Sequence, residues 1–95
     1  MIAPNRILEC IAEKCAVDIH DITGLSRVQN IREARFFFCL ITRELTRMSY
    51  QSIGNYINRD HCTVLHGIKR ANELIDIYPE MKSLYKEIKD EISME

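Results

Sequence analysis

Apolar residues recur along the chain at three- and four-residue intervals, and nowhere do they alternate with polar ones long enough to predict a strand. Ile7, Leu8, Ile11, Ala12 and Cys15 share one face of a first helix over Pro4 to Ala16, where Pro4 suits the opening turn. Asp18 is placed to cap a short second helix, Ile19 to Thr23, which Gly24 terminates. A polar loop follows, Leu25 to Asn30. The third helix spans Ile31 to Met48, and its stripe of Ile31, Ala34, Phe38, Ile41 and Leu45 is widened by Phe37 and Leu40. This breadth makes it the expected core helix.

Ser49 then reads as the N-cap of a short fourth helix, Tyr50 to Ile57. Asn58-Arg59 is a tight turn, and Asp60 caps a fifth helix, His61 to Ile77, with Val64, Leu65, Ile68, Ala71 and Ile75 expected to face inward. Tyr78-Pro79 ends it, and a sixth helix, Glu80 to Ile92, closes the core with Met81, Leu84, Tyr85, Ile88 and Ile92. The expected fold is all-α: a six-helix bundle forming one domain over residues 1–95, with a helix-turn-helix at about residues 49–77. Gly54 inside the short helix costs about 1 kcal/mol relative to Ala. Close approach of the neighbouring helix is the physical reason to accept it.

A length of 95 residues with 46% hydrophobic content suits one modest core. The apolar run Phe36 to Thr42 is far shorter than the roughly 20 residues that span a bilayer. The N-terminus lacks the pattern of an export signal. A cytoplasmic location with no membrane partner is therefore expected. None of the four cysteines has CxxC spacing, so no disulfide framework is expected, and Cys10, Cys15 and Cys39 read as small core side chains.

The formal net charge of −1 argues against a nucleic-acid partner, but its distribution does not. Residues 25–72 hold eight Arg and Lys against three acids, a net +5, between acidic ends of −2 and −4. That asymmetry suits a surface meeting phosphate on one side. The second helix of a helix-turn-helix enters the major groove with its first residues. Here Asp60 can accept from a cytosine amino group, His61 can donate or accept at a base edge, and Thr63 can bond phosphate or offer its methyl to thymine. The amides of the helix start attract phosphate. Arg59 before the helix, and Lys69 and Arg70 on later turns, suit backbone contacts; Arg27 sits in a loop that could reach an adjacent minor groove.

The segment Arg59-Asp60-His61-Cys62-Thr63-Val64-Leu65-His66-Gly67 resembles the signature of the C-terminal DNA-binding domain of the bacterial replication initiator DnaA family. That signature reads close to Arg-Asp-His-Thr-Thr-Val-Leu/Ile-His-Gly/Ala. Ala34-Arg35, Arg43-Glu44-Leu45-Thr46, Ser49 and Ile53-Gly54 fall at family positions too, and the resemblance covers roughly residues 5–92. It implies that Arg27 is a minor-groove arginine and that Asp60, His61 and Cys62 face bases in the major groove. It also implies that Thr63 lies near the backbone and that Arg43, Ser49 and Gln51 hold phosphates. The implied ligand is double-stranded DNA carrying boxes close to TTATCCACA, in replication initiation control or transcription regulation. The full-length initiator or other replication proteins are the implied protein partners.

The chain departs from the family pattern at Cys62, where a Thr is usual, at Gln51, where Pro is common, and at a turn one residue shorter, with Asn58 in place of Gly-Gly. Phe36-Phe37-Phe38 is bulkier than usual, and the Arg27 loop is less basic. No GxxxxGK[ST] phosphate loop is present, so the expectation is a DNA-reading part without its ATPase, not an enzyme, and with no cofactor. Three rival readings remain. Cys62 and His66, with His61 and His20, could bind metal, but four ligands at a recognised spacing are missing. Asp60-His61 or Cys62-His66 could suggest catalysis, but no ordered triad accompanies them. A protein-interaction module derived from the same fold would be favoured by exposed Phe36, Phe37 or Tyr50.

Overall fold

Phe37, Phe38 and Ile41 are all completely buried, so one helix is covered on several sides and the others must surround it. The computed structural model describes residues 2–94. Its helices are α1 (Pro4–Cys15), α2 (Ile19–Thr23), α3 (Gln29–Leu45), α4 (Tyr50–Tyr56), α5 (His61–Ile77) and α6 (Pro79–Ser93). The central helix is α3, which packs against α1, α2, α4 and α5. On the remaining side α6 closes over α1 and α5. Its Tyr85 donates to Glu44 at the end of α3, and Lys89 pairs with the same carboxylate at 3.5 Å. The architecture is the expected all-α six-helix arrangement, and Ile7, Ile11, Ile22, Ile53, Ile57, Val64, Ile88 and Ile92 complete the core.

The ends of α1, α4 and α6 fall within one residue of expectation, and the larger differences each have a local reason. The helix α3 starts at Gln29, two residues before Ile31, because Val28 already takes the extended conformation of an N-cap. It ends at Leu45 rather than Met48. Thr46 donates its hydroxyl to the Thr42 carbonyl at 2.6 Å and accepts the Met48 amide at 3.2 Å, an alternative to helix that its side chain supplies. On α5, Leu65 does not face inward: it is 44% exposed, while Leu74, which had no expected role, is buried. Leu65 lies about 100° around the helix from fully buried Val64, which carries it out of the apolar sector. Leu45, Ile68, Ile75, Met81, Leu84 and Tyr85 are only partly covered.

Cys10 and Cys39 are buried and Cys15 is half-buried, the core role expected of them. Burial pushes the Cys39 thiol up to about 12, so it stays protonated.

Gly54 is buried in α4, and a side chain there would overlap the Arg59 carbonyl oxygen, with Val64 Cγ2 at 3.3 Å as the next neighbour. The close approach is thus made first by the turn and only then by the neighbouring helix. The Arg59 amide donates to the Gly54 carbonyl at 2.9 Å, which holds the turn against the helix. Gly54→Ala should lower unfolding stability by about 1–3 kcal/mol in urea titrations, because the turn must move to admit the methyl group. The neighbouring exposed Asn55→Ala should stay within about 0.5 kcal/mol of the parent. Equal midpoints for Gly54→Ala and the parent would show that the turn yields freely.

Candidate nucleic-acid interface

The start of α5 is built by its cap. Asp60 is extended, and its carboxylate accepts the Thr63 amide at 2.8 Å, satisfying one of the orphan donors of the first turn. That hydrogen bond holds the Asp60 carboxyl below the usual carboxylate range. His61, Cys62 and Thr63 are all exposed, and the His61 Nε2 lies 3.6 Å from the Cys62 sulfur. Leu65, His66 and Lys69 continue the exposed strip along α5. The His66 ring meets Phe36 edge-on, with centroids 6.3 Å apart.

The turn before α5 is tied to a distant part of the chain. Asn58 takes a left-handed conformation, φ 56°, and donates its side-chain amide to the Thr23 carbonyl at 2.9 Å. Arg59 donates Nη2 to the Gly24 carbonyl at 2.6 Å and Nη1 to the carbonyls of Ile57 at 2.9 Å and Asn58 at 3.2 Å. A second guanidinium enters the same region from α3. Arg35, only 6% exposed, donates Nε to the Ile22 carbonyl at 2.8 Å and Nη2 to those of Asp21 and Ser26 at 3.2 Å each. Burial, and then the charge of Arg59, push its pKa down from the usual arginine value. The carbonyls leaving α2 are the negative end of that helix, and they receive both cations.

These bonds place the loop after α2 beside the start of α5. Between them lies a cleft of about 580 Å³, lined among others by Arg27, Arg32, Phe36, Asn58, Thr63 and His66. Arg27, Arg59 and Thr63 of the expected contacts converge there, and Asp60, His61 and Cys62 adjoin them by chain connection. Arg43, Ser49 and Gln51 gather elsewhere, at the α3–α4 junction. Arg43 donates to the Met48 carbonyl at 2.7 Å and stacks 4.4 Å above the Tyr50 ring. The Ser49 hydroxyl caps α4 by accepting the Ser52 amide at 3.1 Å, and Gln51 is exposed. Lys69 is exposed, whereas Arg70 pairs with Glu73.

Arg32 was not singled out from sequence. It is exposed, lines the cleft, and stands 5.8 Å from the Phe36 ring centroid. The signal was present: Arg32 falls in the first turn of α3, just after the loop that carries Arg27, whichever of the two starts is taken. Among the described residues no three His, Cys, Asp or Glu groups converge as metal ligands, and no helix is long and apolar enough to cross a membrane. Phe37 is fully buried, and Phe36 and Tyr50 are half-buried against the core, so none of the three forms an exposed docking face.

Residues 4–71 match a family model described as the bacterial dnaA protein helix-turn-helix. Curated relatives named chromosomal replication initiator protein DnaA are similar over nearly the whole chain. That of Neisseria meningitidis serogroup C is 34% identical over 89 residues, 93% of this chain and 17% of the relative. That of Campylobacter curvus is 37% identical over 89 residues, 93% of this chain and 20% of the relative. That of Leifsonia xyli subsp. xyli is 35% identical, over 93% of this chain and 18% of the relative. The chain spans a fifth or less of the length of these relatives.

The cap carries a pH dependence. The folded Asp60 carboxyl is more acidic than an unfolded one, so its contribution is complete above the ordinary Asp pKa and is lost as pH falls through the depressed folded value. Asp60→Ser keeps a capping oxygen without the charge. Thermal midpoints followed down through the acid range should fall more steeply for the parent than for Asp60→Ser. Parallel acid limbs would show that the charge of the cap contributes nothing.

Proposed function

This chain belongs to the bacterial DnaA helix-turn-helix family, and from that premise we propose that it binds double-stranded DNA by placing the start of α5 in the major groove. The observation that supports this most is the exposed, Asp60-capped start of α5 beside an arginine-lined cleft. In this reading Asp60, His61 and Cys62 meet base edges, and Arg27, joined by Arg32, enters the adjacent minor groove. Arg43, Ser49, Gln51, Thr63 and Lys69 lie along phosphates. Arg59, which sequence alone placed on the backbone, has the further part argued below.

The preferred site is DnaA-box-like, close to TTATCCACA, because Asp60, His61 and Thr63 keep the family residues. Cys62 presents a thiol where a threonine hydroxyl and methyl are usual, so discrimination at the base it meets shifts away from the family pattern. The biological setting that fits the named relatives is control of replication initiation or of transcription in the cytoplasm, with the full-length initiator or other replication proteins as partners. The chain acts as a DNA binder and not as an enzyme.

Fluorescence anisotropy with a duplex carrying TTATCCACA and a scrambled duplex of the same composition tests the assignment. His61→Ala should reduce discrimination between the two by about 1–3 kcal/mol. Lys69→Ala should weaken both alike and reduce the slope of log K against log salt by about one. A parent that binds the two duplexes equally, or a His61→Ala variant with full discrimination, would remove the major-groove assignment.

A further inference from the structure

We infer that Asn58 and Arg59 are positioning residues, which fasten the helix-turn-helix turn to the end of α2 and so set the base-reading start of α5 and the Arg27 loop in one register. The inference rests on the DNA-binding reading and adds to it a division of labour among the arginines. Both side chains reach across 35 positions of sequence to consecutive carbonyls, Asn58 to Thr23 and Arg59 to Gly24. Each turns its side-chain donors to main-chain carbonyls of the protein itself. Arg59 has five N–H donors in a fixed fork, and both terminal nitrogens are already turned to three carbonyls. The Gly24 carbonyl also lies 3.5 Å from Nη2 of buried Arg35, so the two guanidinium groups hold it from different helices.

The residue after this anchor point begins the segment that carries Arg27. Leu25 is 90% exposed and Val28 58%, so the loop has almost no apolar packing of its own. Its position therefore depends on the carbonyls at its root, on the Ser26 carbonyl held by Arg35 Nη2 at 3.2 Å, and on the Val28 amide bonded to the Ser26 hydroxyl at 3.3 Å. Asn58 contributes its side chain only because it holds the left-handed conformation that the short turn requires. Glycine would keep that conformation and lose the bond. Lysine at Arg59 would keep the charge and lose the fork. Each variant removes a tie while sparing the backbone or the electrostatics.

Amide hydrogen exchange on the free protein and anisotropy with the TTATCCACA and scrambled duplexes, at several salt concentrations, test the inference with Arg59→Lys, Asn58→Gly and Arg59→Lys in an Arg27→Ala background. Exchange at residues 24–28 should quicken on the order of tenfold in both single variants, with α5 unchanged beyond Leu65. Discrimination between the duplexes should fall on the order of tenfold at an unchanged salt slope. The effect of Arg59→Lys should largely vanish once Arg27 is absent, because the loop then has no contact to misplace. The inference is overturned by unchanged loop exchange, by full additivity with Arg27→Ala, or by an Arg59→Gln variant that weakens both duplexes equally with a shallower slope, the behaviour of a phosphate ligand. A parent that ignores both duplexes rejects the DNA reading instead, and exchange alone then decides whether the tie sets the loop.

Discussion

The binding face depends on a buried cation whose hydrogen bonds all go to backbone carbonyls. Arg35 sits on the core helix at 6% exposure and turns to the carbonyls of Asp21, Ile22, Gly24 and Ser26. A guanidinium taken out of water needs compensation from several groups at once. A helix of five residues ending in an open loop provides them, because no further turn follows to bond its last carbonyls; of those that Arg35 reaches, the Asp21 carbonyl also receives the Gly24 amide at 3.3 Å. The exchange works in both directions. The arginine is neutralised by oriented dipoles, and α2, too short to persist in isolation, is fastened to α3 together with the loop that follows it. Deleting Arg35 would leave buried carbonyls unpaired, at about 1–3 kcal/mol for each that water cannot reach.

How much of this was legible in the sequence follows from how local each interaction is. Asp18, Ser49 and Asp60 were read correctly as caps because each bonds an amide two or three residues on. The order and number of helices followed from apolar periodicity, which is equally local. The end of α3 was misplaced because a Thr46 hydroxyl wins over one more helical turn, and sequence does not say which of the two competing bonds prevails. Leu65 was misread because its neighbour Val64 fills the inward position, and periodicity alone leaves adjacent apolar residues ambiguous.

The carbonyl contacts of Arg35 and Arg59 were not legible for a different reason. Their acceptors are main-chain carbonyls 13 and 35 positions away, and a carbonyl belongs to every residue type. No pairing of side-chain chemistries marks such a contact in the string of letters. Arg59 therefore looked like any cation before a reading helix. Arg35, although it lay in a segment resembling the family, drew no role at all. Asn58 was seen only as a shorter turn. Its left-handed φ and its bond to the Thr23 carbonyl tie the turn to the end of α2.

Net charge misleads for a related reason. A total of −1 would repel a polyanion if every charge were equally available. In the fold, Glu44 is occupied by Tyr85 and Lys89, Glu73 by Arg70, and Glu91 by Cys10 and Lys14. Arg27, Arg32 and Lys69 remain exposed, and among the described residues no salt bridge occupies them. Asp60 is the acid left at the tip, and its charge is turned inward on the Thr63 amide. Each of these ion pairs cancels one base with one acid, so the surface offered to a phosphate is more basic than the chain as a whole through placement, with Arg27, Arg32 and Arg59 at the cleft and Lys69 exposed on α5. With Arg35 and Arg59 committed to carbonyls, the exposed cations can supply attraction while the committed ones supply geometry.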